Sequence, residues 1–229
     1  MSGQPRGAHI FADREDAGRK LAGRLRRYRS ERPVVLALPR GGVVVAYEIA
    51  RALGAPLDVV VARKLGAPGH EELGIGAVAP GGIRVLDERV VRLLGITGTE
   101  IERVAASETA EVERRLERYR DGRPPPVLRD RTLIVVDDGL ATGATARAAI
   151  RSLLPQHPRR IILAVPVCSP EAGEALRTEV DEVVCLHAPP DFVAVGLWYR
   201  NFEQTSDEEV VALLLRSEHE AGAVRRRPG

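Results

Sequence analysis

Residues 133–145 read Leu-Ile-Val-Val-Asp-Asp-Gly-Leu-Ala-Thr-Gly-Ala-Thr and gather residue types suited to ligand chemistry. The four leading apolar residues predict a buried strand. Asp137 and Asp138 stand at its carboxyl end, and a loop with Gly139, Thr142, Gly143 and Thr145 then opens a helix predicted over 143–154. Backbone N–H groups at a helix start point at one spot, and the helix dipole favours negative charge there, so such a loop suits a phosphate. Gly143 permits close backbone approach, and the threonine hydroxyls add donors. Two carboxylates aimed into the same cradle would repel a phosphate. They fit if they accept hydrogen bonds from sugar hydroxyls or face a metal ion, and a phosphate beside a vicinal diol describes a ribose 5-phosphate. The plainer alternative is a surface turn whose acids cap a helix. The pattern is not a nucleotide P-loop, because no Gly-Lys-Ser/Thr follows.

Two further stretches carry charge at strand ends. Arg40, followed by Gly41 and Gly42, closes the first predicted strand, where a fixed cation and exposed backbone N–H groups can hold a diphosphate. A simple strand–helix turn would give the same pattern. Arg63 and Lys64 close the next strand, ahead of a stretch over 66–76 (GAPGHEELGIG) with the composition of a mobile loop. Arg63 and Lys64 can neutralise a diphosphate or serve as ordinary surface charge. His70, Glu71 and Glu72 in that loop are candidate proton acceptors or plain solvated side chains.

The elements that must position these groups follow from the apolar pattern. Strands are predicted over 34–38, 57–62, 132–136, 161–165 and 180–186. Residues 74–78 and 83–86 flank Pro80-Gly81-Gly82 and read as a hairpin. Helices are predicted over 17–29, 43–53, 99–119 (with Thr99 and Glu102 as a capping box), 143–154, 170–177 and 207–216, the last capped by Ser206 or Asp207. Strands alternating with helices imply an α/β fold with a mostly parallel central sheet and helices on both faces. One domain over 1–216 is expected, with a core at about 30–188, a small hood at about 189–205 joined by the N-terminal segment, and a flexible tail over 217–229.

Composition agrees with this class. Of 229 residues, 44% are hydrophobic but only 3% aromatic, so the core must be Val, Leu, Ile and Ala, as in buried parallel strands. A net charge of +2 with 29% charged residues is a mixed surface and argues against nucleic acid as the main partner. The cationic helix over 17–29 reads as an ordinary amphipathic element. Residues 1–9 have no apolar run behind their positive charge and no stretch is long enough to span a bilayer, so a cytoplasmic location is expected. Cys168 and Cys185 sit in apolar strands and read as buried free thiols, with a disulfide or redox pair as the alternative.

The 133–145 segment resembles the signature of type I phosphoribosyltransferases that binds 5-phosphoribosyl-1-pyrophosphate (PRPP). The resemblance covers about 30–205. It implies that Asp137 and Asp138 hold the ribose 2- and 3-hydroxyls and that Ala141, Thr142, Gly143, Ala144 and Thr145 wrap the 5-phosphate. Arg40, Gly41 and Gly42 are similar to the family's pyrophosphate loop, and 66–76 to the flexible loop that closes over the site, with Arg63 and Lys64 beside the pyrophosphate. The stretch 189–202 (PPDFVAVGLWYRNF) resembles the hood of the hypoxanthine-guanine enzymes. By that likeness Phe192 stacks on the base and the Val193 backbone reads its edge; the alternative is that these aromatics pack the hood's own small core, which is the reading taken for Trp198. One departure stands out. Ala141 occupies the place where the 6-oxopurine enzymes carry an aspartate base, so a base must come from elsewhere, with Glu71 and Glu72 as candidates. The implied activity is Mg²⁺-dependent transfer of the phosphoribosyl group to a nitrogenous base, purine-like by the hood, in a homodimer. Mg²⁺ would be held by PRPP oxygens and waters, with no direct protein ligand. The alternatives are a regulatory PRPP sensor acting on RNA, DNA or a protein, and transfer to a non-base acceptor.

Overall fold

The structure, a computed structural model, describes residues 11–225; the reading of residues 1–9 and the last positions of the expected tail, 226–229, lie outside them. Five strands form a wholly parallel sheet: β1 (Val34–Ala37), β2 (Leu57–Val59), β6 (Thr132–Val136), β7 (Arg160–Val167) and β8 (Glu182–His187), in the order β2-β1-β6-β7-β8. A separate antiparallel sheet holds β3 (Arg63–Ala67), β4 (His70–Ala79) and β5 (Ile83–Leu86).

The two-residue period of the strands divides the core into two layers. Val35, Ala37, Ile134, Val136, Ile162 and Ala164 pack with helices α1 (Arg14–Leu25), α2 (Gly41–Leu53) and α7 (Asp207–Arg225). Their alternates Val34, Leu36, Leu133, Val135, Ile161 and Leu163 pack with α5 (Ala144–Leu153) and α6 (Pro170–Leu176) on the other face. Burial on both faces explains why these strands read as unbroken apolar runs. The short helix α3 (Glu88–Leu93) and the long α4 (Gly98–Arg120) lie between the small sheet and β6 in the chain.

Order in the parallel sheet places β1 and β6 side by side at its centre, with the chain leaving β1 toward β2 and leaving β6 toward β7. The loops after β1 and β6 diverge there and open a crevice, the usual ligand position in open α/β sheets. The segment 189–205 packs on the carboxyl end of this sheet and is tied to the N-terminal chain. Phe11 pairs with Tyr199 as a parallel bridge, and Phe11, Trp198 and Tyr199 form a small buried cluster with Ala17 and Val167.

Several sequence expectations need correction. The stretch over 66–76 is not a loop but most of a β-hairpin, β3 and β4 turning at Pro68-Gly69. Its glycines conceal the strands from a composition argument: a Cβ on Gly66 would lie 2.5 Å from the Glu71 carbonyl oxygen, so glycine marks close backbone approach beside a register shift. Helix α4 is capped two residues before the expected position, by a box between Thr97 and Glu100. The cationic segment over 17–29 begins earlier, with Asp13 as cap of α1, and leaves the α-helix at Arg26 for a 3₁₀ turn over Arg26–Glu31. Helix α7 continues to Arg225, well past Arg216, and Ser206 and Glu209 bond reciprocally at its start. Cys168 and Cys185 are free thiols with their sulfurs 2.9 Å apart.

Candidate active site

Two glycine contacts pull the crevice together. A Cβ on Gly41 would sit 2.0 Å from Asp138 Oδ2, and one on Gly42 would sit 2.9 Å from the Val136 carbonyl oxygen. The loop after β1 therefore lies directly on the paired acids after β6, which only residues lacking a side chain allow. The Leu38 N–H donates to the Val136 carbonyl at 2.8 Å and fixes the two strand ends together. Arg40 caps α2 and is the cation of this loop; its guanidinium is 4.0 Å from Asp207, and the Pro39–Arg40 peptide is cis.

The acids are held differently. The Asp138 amide donates to Asp137 Oδ1 at 2.8 Å. Burial, and then the Asp138 charge beside it, push the Asp137 carboxyl well above the usual carboxylate range. Asp138 Oδ2 accepts from Arg14 Nε at 2.7 Å, and the Asp138 carbonyl accepts from the Tyr199 hydroxyl at 2.6 Å. Burial and the neighbouring Asp138 charge raise the Tyr199 phenol, so it remains a donor. Asp137 Oδ1 and Asp138 Oδ2 are thus engaged by the protein, and the two carboxyl groups also lie against each other.

Beyond the acids, Leu140 bridges to Cys168 and the chain turns at Gly143 with φ +72°, in the left-handed region that favours glycine. Leu176 lies where a Cβ would point, 2.9 Å away. The N–H groups of Ala141, Thr142 and Gly143 have no acceptor among the described residues, and that of Ala144 has only a 3.5 Å contact with Thr142 Oγ1. Together with the start of α5 they form an anion cradle. Ser169 anchors it from behind: its hydroxyl donates to the Ala141 carbonyl at 2.7 Å, and its N–H donates to the Leu140 carbonyl at 2.9 Å. The same Oγ caps α6 by accepting from the Ala172 N–H.

Arg63, Lys64, Glu71 and Glu72 lie elsewhere. All line a cleft of about 660 Å³ between the β3–β4 hairpin and α4. Arg63 Nε donates to Glu108 at 2.7 Å, and Lys64 Nζ contacts the Glu72 carbonyl. These bonds tie them to α4 and to their own hairpin, not to the Asp137–Thr145 segment. Phe192 is half-buried against the Phe11–Trp198 cluster, while Val193 is 78% exposed. Val195 of the hood fills the space a Cβ on Gly139 would need.

Sequence reasoning missed Arg14, Ser169 and Tyr199. Only Ser169, standing directly before Pro170 and Glu171, carried a legible signal, that of a helix cap. No group of three or more His, Cys, Asp or Glu placed to hold a metal occurs among the described residues. Two carboxylates beside an anion cradle fit a Mg²⁺ that arrives on a diphosphate, not one caged by protein.

A parallel α/β sheet with paired acids leading into an anion cradle at its switch point defines a phosphoribosyl-binding class. Comparison agrees: residues 9–199 match the phosphoribosyl transferase domain family. The chain belongs to this family of transferases. A Mycobacterium tuberculosis protein with a provisional phosphoribosyl transferase name is 47% identical over 218 residues, which are 94% of this chain and 49% of that protein. The chain therefore spans about half the length of that relative. The Deinococcus radiodurans bifunctional protein PyrR is 32% identical over 162 residues, 64% of this chain and 86% of that protein. The crystal structure of TT1426 from Thermus thermophilus superposes with a TM-score of 0.76 at 48% identity, covering 90% of this chain and 98% of that one. No helix among the described residues is long and apolar enough to cross a membrane.

Proposed function

We propose that the chain transfers the 5-phosphoribosyl group of PRPP to a ring nitrogen of a purine-like base, with Mg²⁺, releasing pyrophosphate. The observation that carries this reading is the contact of the Arg40–Gly42 loop with Asp137 and Asp138 beside the free N–H groups of Ala141 to Gly143. A cationic glycine loop, paired acids and an anion cradle side by side support this reading, because they match the diphosphate, diol and phosphate that PRPP carries in that order. In this reading the cradle of Ala141, Thr142, Gly143, Ala144 and Thr145 binds the 5-phosphate, and Asp137 and Asp138 accept from the hydroxyls. Arg40 and the backbone at Gly41 and Gly42 face the leaving group. The new C–N bond forms as the bond from the anomeric carbon to the diphosphate oxygen breaks, and the electron pair leaves with pyrophosphate. Positive charge gathers on the sugar and negative charge on the leaving group, which Arg40 stabilises. Bound Mg²⁺ supplies further neutralisation of the diphosphate.

The hairpin carrying Arg63, Lys64, Glu71 and Glu72 is the candidate lid. Its closing over the crevice would bring Lys64 to the diphosphate and Glu71 or Glu72 to the acceptor proton, while excluding the water that would hydrolyse the charged sugar. Phe192 and Val193 mark the acceptor side, with Val195 as the wall against the phosphate loop. Calorimetry with PRPP and Mg²⁺, followed by pyrophosphate release across a panel of nitrogenous bases, tests the proposal. Binding with release for one class of base supports it. Absence of PRPP binding overturns it, and binding without release for any base removes the transfer step.

A further inference from the structure

Arg14 is unusual among the cations of this chain. It opens α1, far in sequence from every motif, yet its Nε lies 2.7 Å from Asp138 Oδ2, with side-chain exposures of 11% and 16%. The guanidinium is held at two further points. Nη1 donates to the Glu203 carbonyl at 2.6 Å, and the group lies 3.9 Å from the Phe202 ring centroid. Phe202 packs in turn on Tyr199, with ring centroids 5.0 Å apart, and Tyr199 donates to the Asp138 carbonyl. The scaffold behind this is fixed by backbone pairing: Arg200 N–H to the Phe11 carbonyl and Asn201 N–H to the Ala12 carbonyl, each at 2.9 Å. A planar cation held at Nη1 by the Glu203 carbonyl and on one face by Phe202 can present its Nε–H in only one direction.

We propose that Arg14 is a positioning residue that holds the Asp138 carboxylate in one orientation, leaving its second oxygen aimed at the sugar diol. The inference rests on the PRPP reading above. It gives the N-terminal helix and the hood segment a shared role, in which α1 supplies the cation and 199–203 lock it. Released from Arg14, the Asp138 carboxylate rotates about its own side-chain bonds, and its oxygen is no longer pre-set for a hydroxyl. The effect is confined to the diol. Inorganic pyrophosphate, which has no hydroxyl, gains nothing from Asp138.

The test is a double-mutant cycle on the full chain, read by calorimetry with PRPP and with inorganic pyrophosphate, both with Mg²⁺. Variants are Arg14→Met, Asp138→Asn and the pair. Loss of a hydrogen bond to a charged group predicts that Arg14→Met weakens PRPP about tenfold or more. Pyrophosphate affinity should stay unchanged, and in the Asp138→Asn background Arg14→Met should add little. Arg14→Lys, which keeps the charge but not the planar fork, should recover part of the loss. The same loss in both backgrounds, equal loss for PRPP and pyrophosphate, or no loss at all would overturn the proposal. If Arg14→Met does not fold, Phe202→Leu, which frees the guanidinium face, takes its place in the same cycle with the same criteria. Wild-type protein that binds pyrophosphate but not PRPP would instead remove the PRPP reading, and this proposal with it.

Discussion

Replacing Gly41 by Ala adds a methyl group where Asp138 already stands. The new Cβ would lie 2.0 Å from Asp138 Oδ2 and 2.5 Å from Arg14 Nε, whereas real Cβ contacts essentially never fall under 3.0 Å. Something must therefore move by about 1 Å, and the pinned ion pair leaves little freedom to absorb it. A displacement of that size in a binding constellation costs on the order of 100-fold, so PRPP affinity should fall by about that factor. Global stability should change far less. Overpacking costs about 1–3 kcal/mol, and the gain of Ala over Gly in the first turn of α2 returns up to ~1 kcal/mol. Gly23→Ala is the matched control: it lies in α1 with no atom within 4 Å of its Cβ position, and should stabilise by up to ~1 kcal/mol without touching PRPP binding. Calorimetry and thermal unfolding on both variants read the two effects. If Gly41→Ala binds PRPP as tightly as wild type, the loop after β1 does not border the sugar site, and the site reading is wrong.

Gly143→Val places a branched side chain at φ +72° against Leu176 and should abolish phosphate binding with a stability loss of about 2–3 kcal/mol, read by ribose 5-phosphate titration and melting. Ser169→Ala removes both a helix cap and the hydroxyl that holds Ala141, and should lower the melting temperature by about 2–4 °C with weakened PRPP binding. Asp137→Asn should separate binding from stability. The native Asp137 carboxyl is raised, so the folded state holds its proton where the unfolded chain has released it. Stability is then full below the ordinary carboxylate pKa and is lost as pH rises through the native value. Asn removes that loss, so the variant should melt higher than wild type near neutral pH while binding PRPP more weakly. A lower melting temperature at pH 7 would count against the raised carboxyl.

The central sheet and the small-residue turn after β6 were legible because their cause is local. Val-Val-Leu-Ala and Leu-Ile-Val-Val are buried on both faces, which leaves an unbroken apolar run. The cradle needs consecutive small residues, which leaves Ala-Thr-Gly-Ala-Thr. The hairpin was not legible because its strands meet through glycines, and glycine-rich sequence reads as loop. The capping box of α4 was misplaced because Thr97 and Thr99 both precede a Glu by three, so the pattern alone does not choose between them. Arg14 left no trace, since its role depends on Asp138, 124 positions away, and on Phe202. A single arginine in a helix already rich in arginine has no pattern of its own.

The electrostatics of the crevice explain why such a distant arginine belongs there. In the proposed function, PRPP would bring a phosphate and a diphosphate to a site with two carboxylates at the sugar, and like charges there oppose binding. The structure reduces the opposition by three means. Asp137 is pushed toward its neutral form by burial and by Asp138. Asp138 is paired with Arg14 at its Oδ2. The cradle offers uncharged N–H groups at the start of α5, whose dipole carries about half a positive charge without a side chain that could swing onto the acids. A lysine placed in the crevice itself would meet the charge problem but compete with the sugar for the carboxylate oxygens. Holding the compensating cation on α1, locked by the Glu203 carbonyl and the Phe202 ring, keeps it on Asp138 Oδ2, and in the proposed reading the other oxygen would serve the substrate.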